Sequence, residues 1–271
     1  MAKSSLPLDR RGFLTLAAGL PLAALLGPVR GVSGATQSRR AAFTAEVGLL
    51  YDALTFRLDG TIDEAVDREA GRYQVSANGE GNGVASRIES IGRLRDGVWT
   101  LDRANSWFMV RGRESRSEIT CDWEARRIHY RFRGETFFLR RQRVVDDTVA
   151  VPDGVHVDDV ISALLNYSDA RWKPQPDGGY RTLVIRRRRR EDEGPDDIPS
   201  DSGAELVPFE LRVGLDQPTG KPAAFFDMTR FSSWARQGHP ARIVFSANRR
   251  PELITSALIL GTSITVRLRD A

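Results

Sequence analysis

Arg127-Ile128-His129-Tyr130-Arg131-Phe132-Arg133 alternates a polar with an apolar residue at every step. A period of two places one set on each face of a β-strand, so Ile128, Tyr130 and Phe132 face a core while Arg127, Arg131 and Arg133 face water. The same rhythm runs outward in both directions. Ile119, Cys121 and Trp123 precede it, as do Tyr73, Val75 and Ala77 and, earlier, Leu54, Phe56, Leu58 and Ile62. Val207, Phe209, Leu211 and Val213 follow, then Ile264, Val266 and Leu268. Turn-like breaks separate the runs: Asp59-Gly60, Asn78 to Gly83, Asp96-Gly97, Arg133-Gly134 and Asp177-Gly178-Gly179. Many strands at hairpin spacing predict an antiparallel meander.

One segment has the helical period instead. After Val151-Pro152-Asp153-Gly154, apolar residues fall at Val157, Val160, Ile161, Leu164 and Leu165, one stripe of an amphipathic helix ending near Tyr167. Asp158 and Asp159 occupy its expected first turn, where the helix dipole favours acids. A weaker candidate, helix or strand, covers Thr229 to Arg236. The fold expected is mainly β: a curved antiparallel sheet, half-barrel or barrel-like, wrapping one amphipathic helix.

The chain has 271 residues, 41% of them hydrophobic, which excludes disordered and low-complexity classes. Residues 1–35 read as a leader. Asp9-Arg10-Arg11-Gly12-Phe13-Leu14-Thr15 resembles the twin-arginine export signal, with Arg10, Arg11, Phe13 and Leu14 as its marks. A short, interrupted apolar run follows to Leu26, and Ser33-Gly34-Ala35 offers a cleavage site after Ala35. This resemblance implies a periplasmic protein whose partners in transit are the twin-arginine machinery and signal peptidase. Residues 36–271 then form a single β-rich domain with a charged loop at 186–203, where Arg186 to Arg190 run into Glu191, Asp192, Glu193, Asp196, Asp197 and Asp201. That loop reads as exposed and largely self-neutralising.

The formal net charge is +4, but without the leader it falls to +1, so charge gives no general case for nucleic acid as a partner. Locally the balance differs. Arg111 to Arg143 holds ten arginines against five carboxylates. Arg127, Arg131 and Arg133 on one strand face mark a candidate anion-binding surface for lipid headgroups or an acidic envelope component. Arg111, Arg113 or Arg140 are candidates to join them from neighbouring strands.

Catalytic motifs are absent. The single cysteine, Cys121, excludes an intramolecular disulfide, and its alternation with Ile119 and Trp123 points it inward. His129, His156 and His239 have no metal-ligand spacing, so neither metal nor cofactor is expected. Gly79-Glu80-Gly81-Asn82-Gly83 has the wrong spacing for a phosphate loop and reads as a hairpin. Ser162 and Asp158 share a helix face at i, i+4, with His156 close in sequence, but a capped surface helix accounts for all three.

The element order resembles an exported bacterial family known as domain of unknown function 3108. The resemblance lies in the Phe43 to Ile62 strand pair with Leu58-Asp59-Gly60, in Ile91-Gly92-Arg93-Leu94-Arg95-Asp96-Gly97-Val98-Trp99, and in Val149 to Leu165. It implies an envelope location and a curved sheet like those of lipoprotein carriers, and supplies no reaction or functional residues. The function expected is a non-enzymatic periplasmic binding protein for an apolar or anionic envelope ligand. Its apolar side would be lined by Phe56, Tyr73, Tyr130, Phe132, Phe209 and Phe245. A ligand-free structural protein of the envelope and an enzyme acting on envelope lipid or glycan are the rivals.

Overall fold

A computed structural model describes residues 37–49, 54–110, 112–136, 139–190, 193, 197–198, 203–232, 235–258 and 262–270. The expected leader, with Arg10, Arg11, Phe13 and Leu14, lies outside the described residues. Eight long strands come first: β1 (Gln37–Leu49), β2 (Leu54–Asp67), β3 (Arg72–Gly81), β4 (Val84–Arg95), β5 (Val98–Val110), β6 (Arg113–Asp122), β7 (Arg127–Glu135) and β8 (Gln142–Ala150). A two-residue strand, β9 (Val157–Asp158), leads into the helix α1 (Val160–Ser168). Then come β10 (Tyr180–Arg187), β11 (Ala204–Leu215), β12 (Pro222–Phe226), β13 (Ala241–Phe245), β14 (Pro251–Ala257) and β15 (Ser263–Asp270).

All fifteen strands join one sheet in the order 8-7-6-5-4-3-2-1-15-14-13-12-11-10-9. Every pairing is antiparallel except that of β9 with β10. Two meanders therefore meet where β1 pairs with β15. The sheet curls until its two ends approach, yet stays open. Side chains seal the seam: Asp147 of β8 accepts a hydrogen bond from the Ala204 amide at 2.8 Å. Ile128, Tyr130 and Val145 pack there against Val157, Ile185 and Ala204. The arginine run folds over the same seam. Glu193, with only 6% of its surface exposed, accepts from Arg187 at 3.0 Å, and Arg143 lies 3.6 Å from it. The exposure expected of the charged segment does not hold at Glu193, which is buried among Arg143, Arg187 and Arg189.

Several turn expectations hold and two do not. Asp96 and Gly97 both take positive φ, 49° and 82°, the geometry of a two-residue hairpin that twists with its strands. Asp59-Gly60 and Arg133-Gly134 are not turns but paired strand positions, the first in the middle of β2 and the second near the end of β7. Gly60 pairs with Phe43 across the ladder, and a Cβ there would lie 2.5 Å from the phenyl ring. The ring lies over the glycine, so a side chain at this position is excluded by the packing. Among the described residues of Thr229 to Arg236 there is a short 3-10 turn, Met228–Arg230, and a bridge at Ala235.

The helix begins at Val160, later than the apolar stripe implies, with Asp159 as its N-cap and Ser162 completing a capping box. It is buried on all sides, Ile161 through Ser168, so it is wrapped by the sheet without a wet face. Leu164 and Ile161 join the main core with Phe43, Tyr73, Trp99, Leu211 and Phe245. Its polar residues satisfy backbone that the sheet leaves open. β6 reaches only as far as Arg103 of β5, so the Trp99 backbone has no strand partner on that side. Asn166 replaces one: its Oδ1 accepts from the Trp99 amide at 2.7 Å and its Nδ2 donates to the Trp99 carbonyl at 2.8 Å.

A bulge between Ile91 and Gly92 on the β4–β5 ladder sets the rest of the geometry. Before it Trp99 and Leu101 point inward; after it Ala104, Phe108 and Val110 do, and Trp107 points outward. The extra residue, Asp102, is held by Arg93 at 2.7 Å.

Candidate functional site

Inside the curl, four groups converge on the Asp158 carboxylate. Ser162 Oγ donates to Oδ1 at 2.7 Å, Asn166 Nδ2 to the same oxygen at 3.1 Å, and Thr182 Oγ1 to Oδ2 at 2.7 Å. His156 Nε2 lies 3.0 Å from Oδ1. Asp158 is 1% exposed and Ser162 0%, which corrects the surface-helix reading of both. The order is also wrong for nucleophilic catalysis. The carboxylate stands between serine and histidine, and Ser162 has no opening towards a substrate. Burial would lower the His156 pKa, but the hydrogen bond and charge of Asp158 outweigh it and raise the group above its ordinary value. Burial raises the neighbouring Asp159 carboxyl, against the hydrogen bonds from Ser162. This network anchors the helix start to β9 and β10.

At the other end of the helix, Asp169 accepts from Arg68 at 2.9 and 3.0 Å and from the Trp99 indole at 3.0 Å. Glu64 lies nearby on the inner face of β2, 6% exposed, and burial pushes its carboxyl up to about 8 against the pull of Arg39 and Arg68.

The six aromatic residues expected to line an apolar cavity fall into two packed groups. Tyr73, Phe209 and Phe245 are buried in the main core with Phe56 against it. Tyr130 is in the seam cluster with Phe132 against it. Tyr167 of the helix sits 4.9 Å from Phe245, and Phe209 is 5.4 Å from Phe226. Cys121 is half-buried on the inner side of β6, and burial pushes its thiol up to about 12, so it is held as the unreactive thiol.

The outer face of β3 to β8 carries a furrow of about 860 Å³. It runs across the strands between two rows of side chains in register. One row is Ser76, Glu89, Asn105, Glu118, Arg131 and Asp146; the other is Asn78, Arg87, Trp107, Arg116, Arg133 and Val144. The first row holds three carboxylates and one guanidinium, which closes on both its neighbours: Arg131 lies 3.4 Å from Asp146 and 3.8 Å from Glu118. His129 also bonds Asp146 at 2.6 Å, which with Arg131 holds that carboxyl below its usual range.

The second row holds three guanidinium groups and no carboxylate. Arg87 stacks over the Trp107 ring at 5.1 Å. Arg116 pairs with Glu114, two residues along its own strand, at 2.7 Å. Arg133 has no ion-pair partner among the described residues, and Val144 beside it is 55% exposed.

Arg127, Arg131 and Arg133 do share the exposed face of β7, as alternation requires. The structure divides them, however. Arg131 is neutralised, Arg127 lies beyond the furrow opposite Asp122, and only Arg133 stands in the cationic row. Arg113 is on the inner side of β6 and Arg140 pairs with Glu135 at 2.9 Å, so neither joins; Arg111 lies outside the described residues. Arg116 and Arg87 join instead. Their signal was the ladder register, which hairpin turns fix and strand alternation alone does not.

Among the described residues no helix is long and apolar enough to cross a membrane, and no cluster of His, Cys, Asp and Glu is arranged to hold a metal. Neither a known protein family nor a curated protein matches the chain. A solved structure, that of a beta-barrel-like protein of domain of unknown function DUF1849 from Brucella abortus, aligns over 87% of this chain and 98% of its own. The identity is 10% and the TM-score 0.38.

Proposed function

We propose that this chain is a non-enzymatic binding protein, exported to the cell envelope, that holds an anionic ligand on the outer face of β3 to β8. The observation that carries the reading is the cationic row Arg87, Arg116 and Arg133 set beside Trp107. Guanidinium groups bind carboxylates and phosphates through paired N–H donors, and a row of them along one line suits an extended ligand better than a compact one. The twin-arginine-like leader supports the envelope as the place of action. An apolar ligand is disfavoured, because the inward aromatic rings are spent on one another and on the helix.

The test is direct binding of polyphosphate, polygalacturonate and phosphatidylglycerol vesicles to the wild type and to R87Q/R116Q/R133Q. At least one of these polyanions binds the wild type at low salt, and the triple variant loses it. If the wild type ignores all three, the reading is wrong.

A further inference from the structure

The cationic row is only one wall of the furrow, and the other wall has the opposite chemistry. Glu89, Glu118 and Asp146 present acceptors along it, with Asn105 and Ser76 between and beside them and one guanidinium, Arg131, standing between Glu118 and Asp146. A polymer whose entire outline is anionic, or a plane of lipid headgroups, gains from the guanidinium wall but is repelled by the carboxylates facing it. A ligand with acids on one edge and hydroxyl donors on the other satisfies both. Carboxylates accept from hydroxyls, and each retains acceptor sites beyond those used by Arg131, His129 and Gln74.

The dimensions point the same way. Neighbouring strands are about 4.8 Å apart, so a furrow crossing six strands is roughly 24 Å long and repeats its side chains at that spacing. An extended chain of pyranose rings advances by close to one strand spacing per ring. Each ring can then meet a new pair of residues, one from each wall. Trp107 adds a flat apolar surface in the middle of the cationic wall. Arg87 covers one side of the half-buried ring in cation–π contact, and the part left exposed suits the C–H face of a sugar. A phosphate chain has no apolar face to set against it.

From this juxtaposition we propose that the ligand of the furrow is an acidic polysaccharide, lying across β3 to β8 with its carboxylates on Arg87, Arg116 and Arg133 and its hydroxyls on Glu89, Glu118 and Asp146. This rests on the anion-binding reading above and narrows it to one class of ligand.

Polygalacturonate, polyphosphate and phosphatidylglycerol vesicles serve as probes in titrations against the purified protein. Wild type binds polygalacturonate at least tenfold more tightly, per charge, than it binds polyphosphate or the vesicles. W107A weakens polygalacturonate at least tenfold more than it weakens polyphosphate, which loses only the support that the ring gives Arg87. E89Q/E118Q removes two negative charges and exchanges one acceptor oxygen of each side chain for a donor on the exposed acidic wall, where a change is tolerated whatever becomes of the tryptophan variant. It weakens polygalacturonate and strengthens polyphosphate, two shifts of opposite sign. If polyphosphate or the vesicles bind as tightly as polygalacturonate, or if E89Q/E118Q strengthens every polyanion alike, the polysaccharide is overturned while the anion-binding reading stands. If no probe binds, both fall.

Discussion

The polar cluster around Asp158 and the furrow across β3 to β8 contain many of the same residue types and differ in what is left over. Around Asp158, a buried carboxylate is matched by Ser162, Asn166, Thr182 and His156, and the matching joins the helix to two strands. In the furrow, Glu118 and Asp146 of one wall are matched by Arg131 and His129 and Glu89 by Gln74, while on the other wall Arg116 pairs with Glu114 of its own strand, Arg87 lies over Trp107, and Arg133 has no ion-pair partner among the described residues. A buried polar group left unpaired costs the fold; exposed charge in excess costs it little and remains available to something else. The first region is read as architecture and the second as a site for that reason.

The largest effect expected is at Asp158. Asp158→Ala removes the acceptor shared by Ser162, Thr182 and Asn166, of which Asn166 keeps the Trp99 carbonyl, and urea unfolding registers a loss of about 3–5 kcal/mol. A variant as stable as the wild type would remove the architectural reading of this network. Leu164→Ala, at a helix position 1% exposed, costs about 2–5 kcal/mol by the same measurement. An unchanged midpoint there would mean that the helix is not enclosed by the sheet.

Glu64 sharpens the contrast through pH. Its folded-state carboxyl, at about 8, stands above the ordinary 4.5, so the unfolded chain releases its proton first. Stability from this group is therefore full below 4.5 and is lost as pH rises towards about 8. Glu64→Gln flattens that decline, and at pH 8 the variant is more stable than the wild type by about 1–3 kcal/mol. Parallel stability curves for the two proteins from acid to pH 8 would contradict the burial argument. The smallest effect on the fold is expected from R87Q/R116Q/R133Q, which shifts stability by no more than about 0.5 kcal/mol.

Much of the fold was legible in the chain because alternation reports which side of a strand is dry. Ile128, Tyr130 and Phe132 against Arg127, Arg131 and Arg133 needed no further information. Gly60 and Gly134 misled, since a glycine that ends a strand and one that makes room for Phe43 or Phe132 look alike in sequence. The helix was legible by its apolar stripe, but not the burial of its polar side, which depends on Asp158 and on the Trp99 backbone left open by β6.

The furrow was legible only in part. The Asp96-Gly97 turn, extended without interruption, would pair Arg87 with Ser106 and leave Trp107 on the inner face. The added residue at Asp102 shifts the ladder by one and turns Trp107 outward against Arg87. A single bulge thus decides whether the cationic row has its aromatic member, and nothing in the alternation of β5 announces it.

Binding at the outer row is read out by thermal unfolding of the wild type and of R87Q/R116Q/R133Q at low salt, each with and without excess polygalacturonate. A ligand that binds only the folded chain raises its midpoint, and the rise disappears when salt shortens the screening length from about 10 Å at 0.1 M to about 3 Å at 1 M. The expected result is that both proteins unfold together without polygalacturonate and that only the wild type is raised by it. An equal rise in the triple variant would contradict the assignment of binding to the outer row.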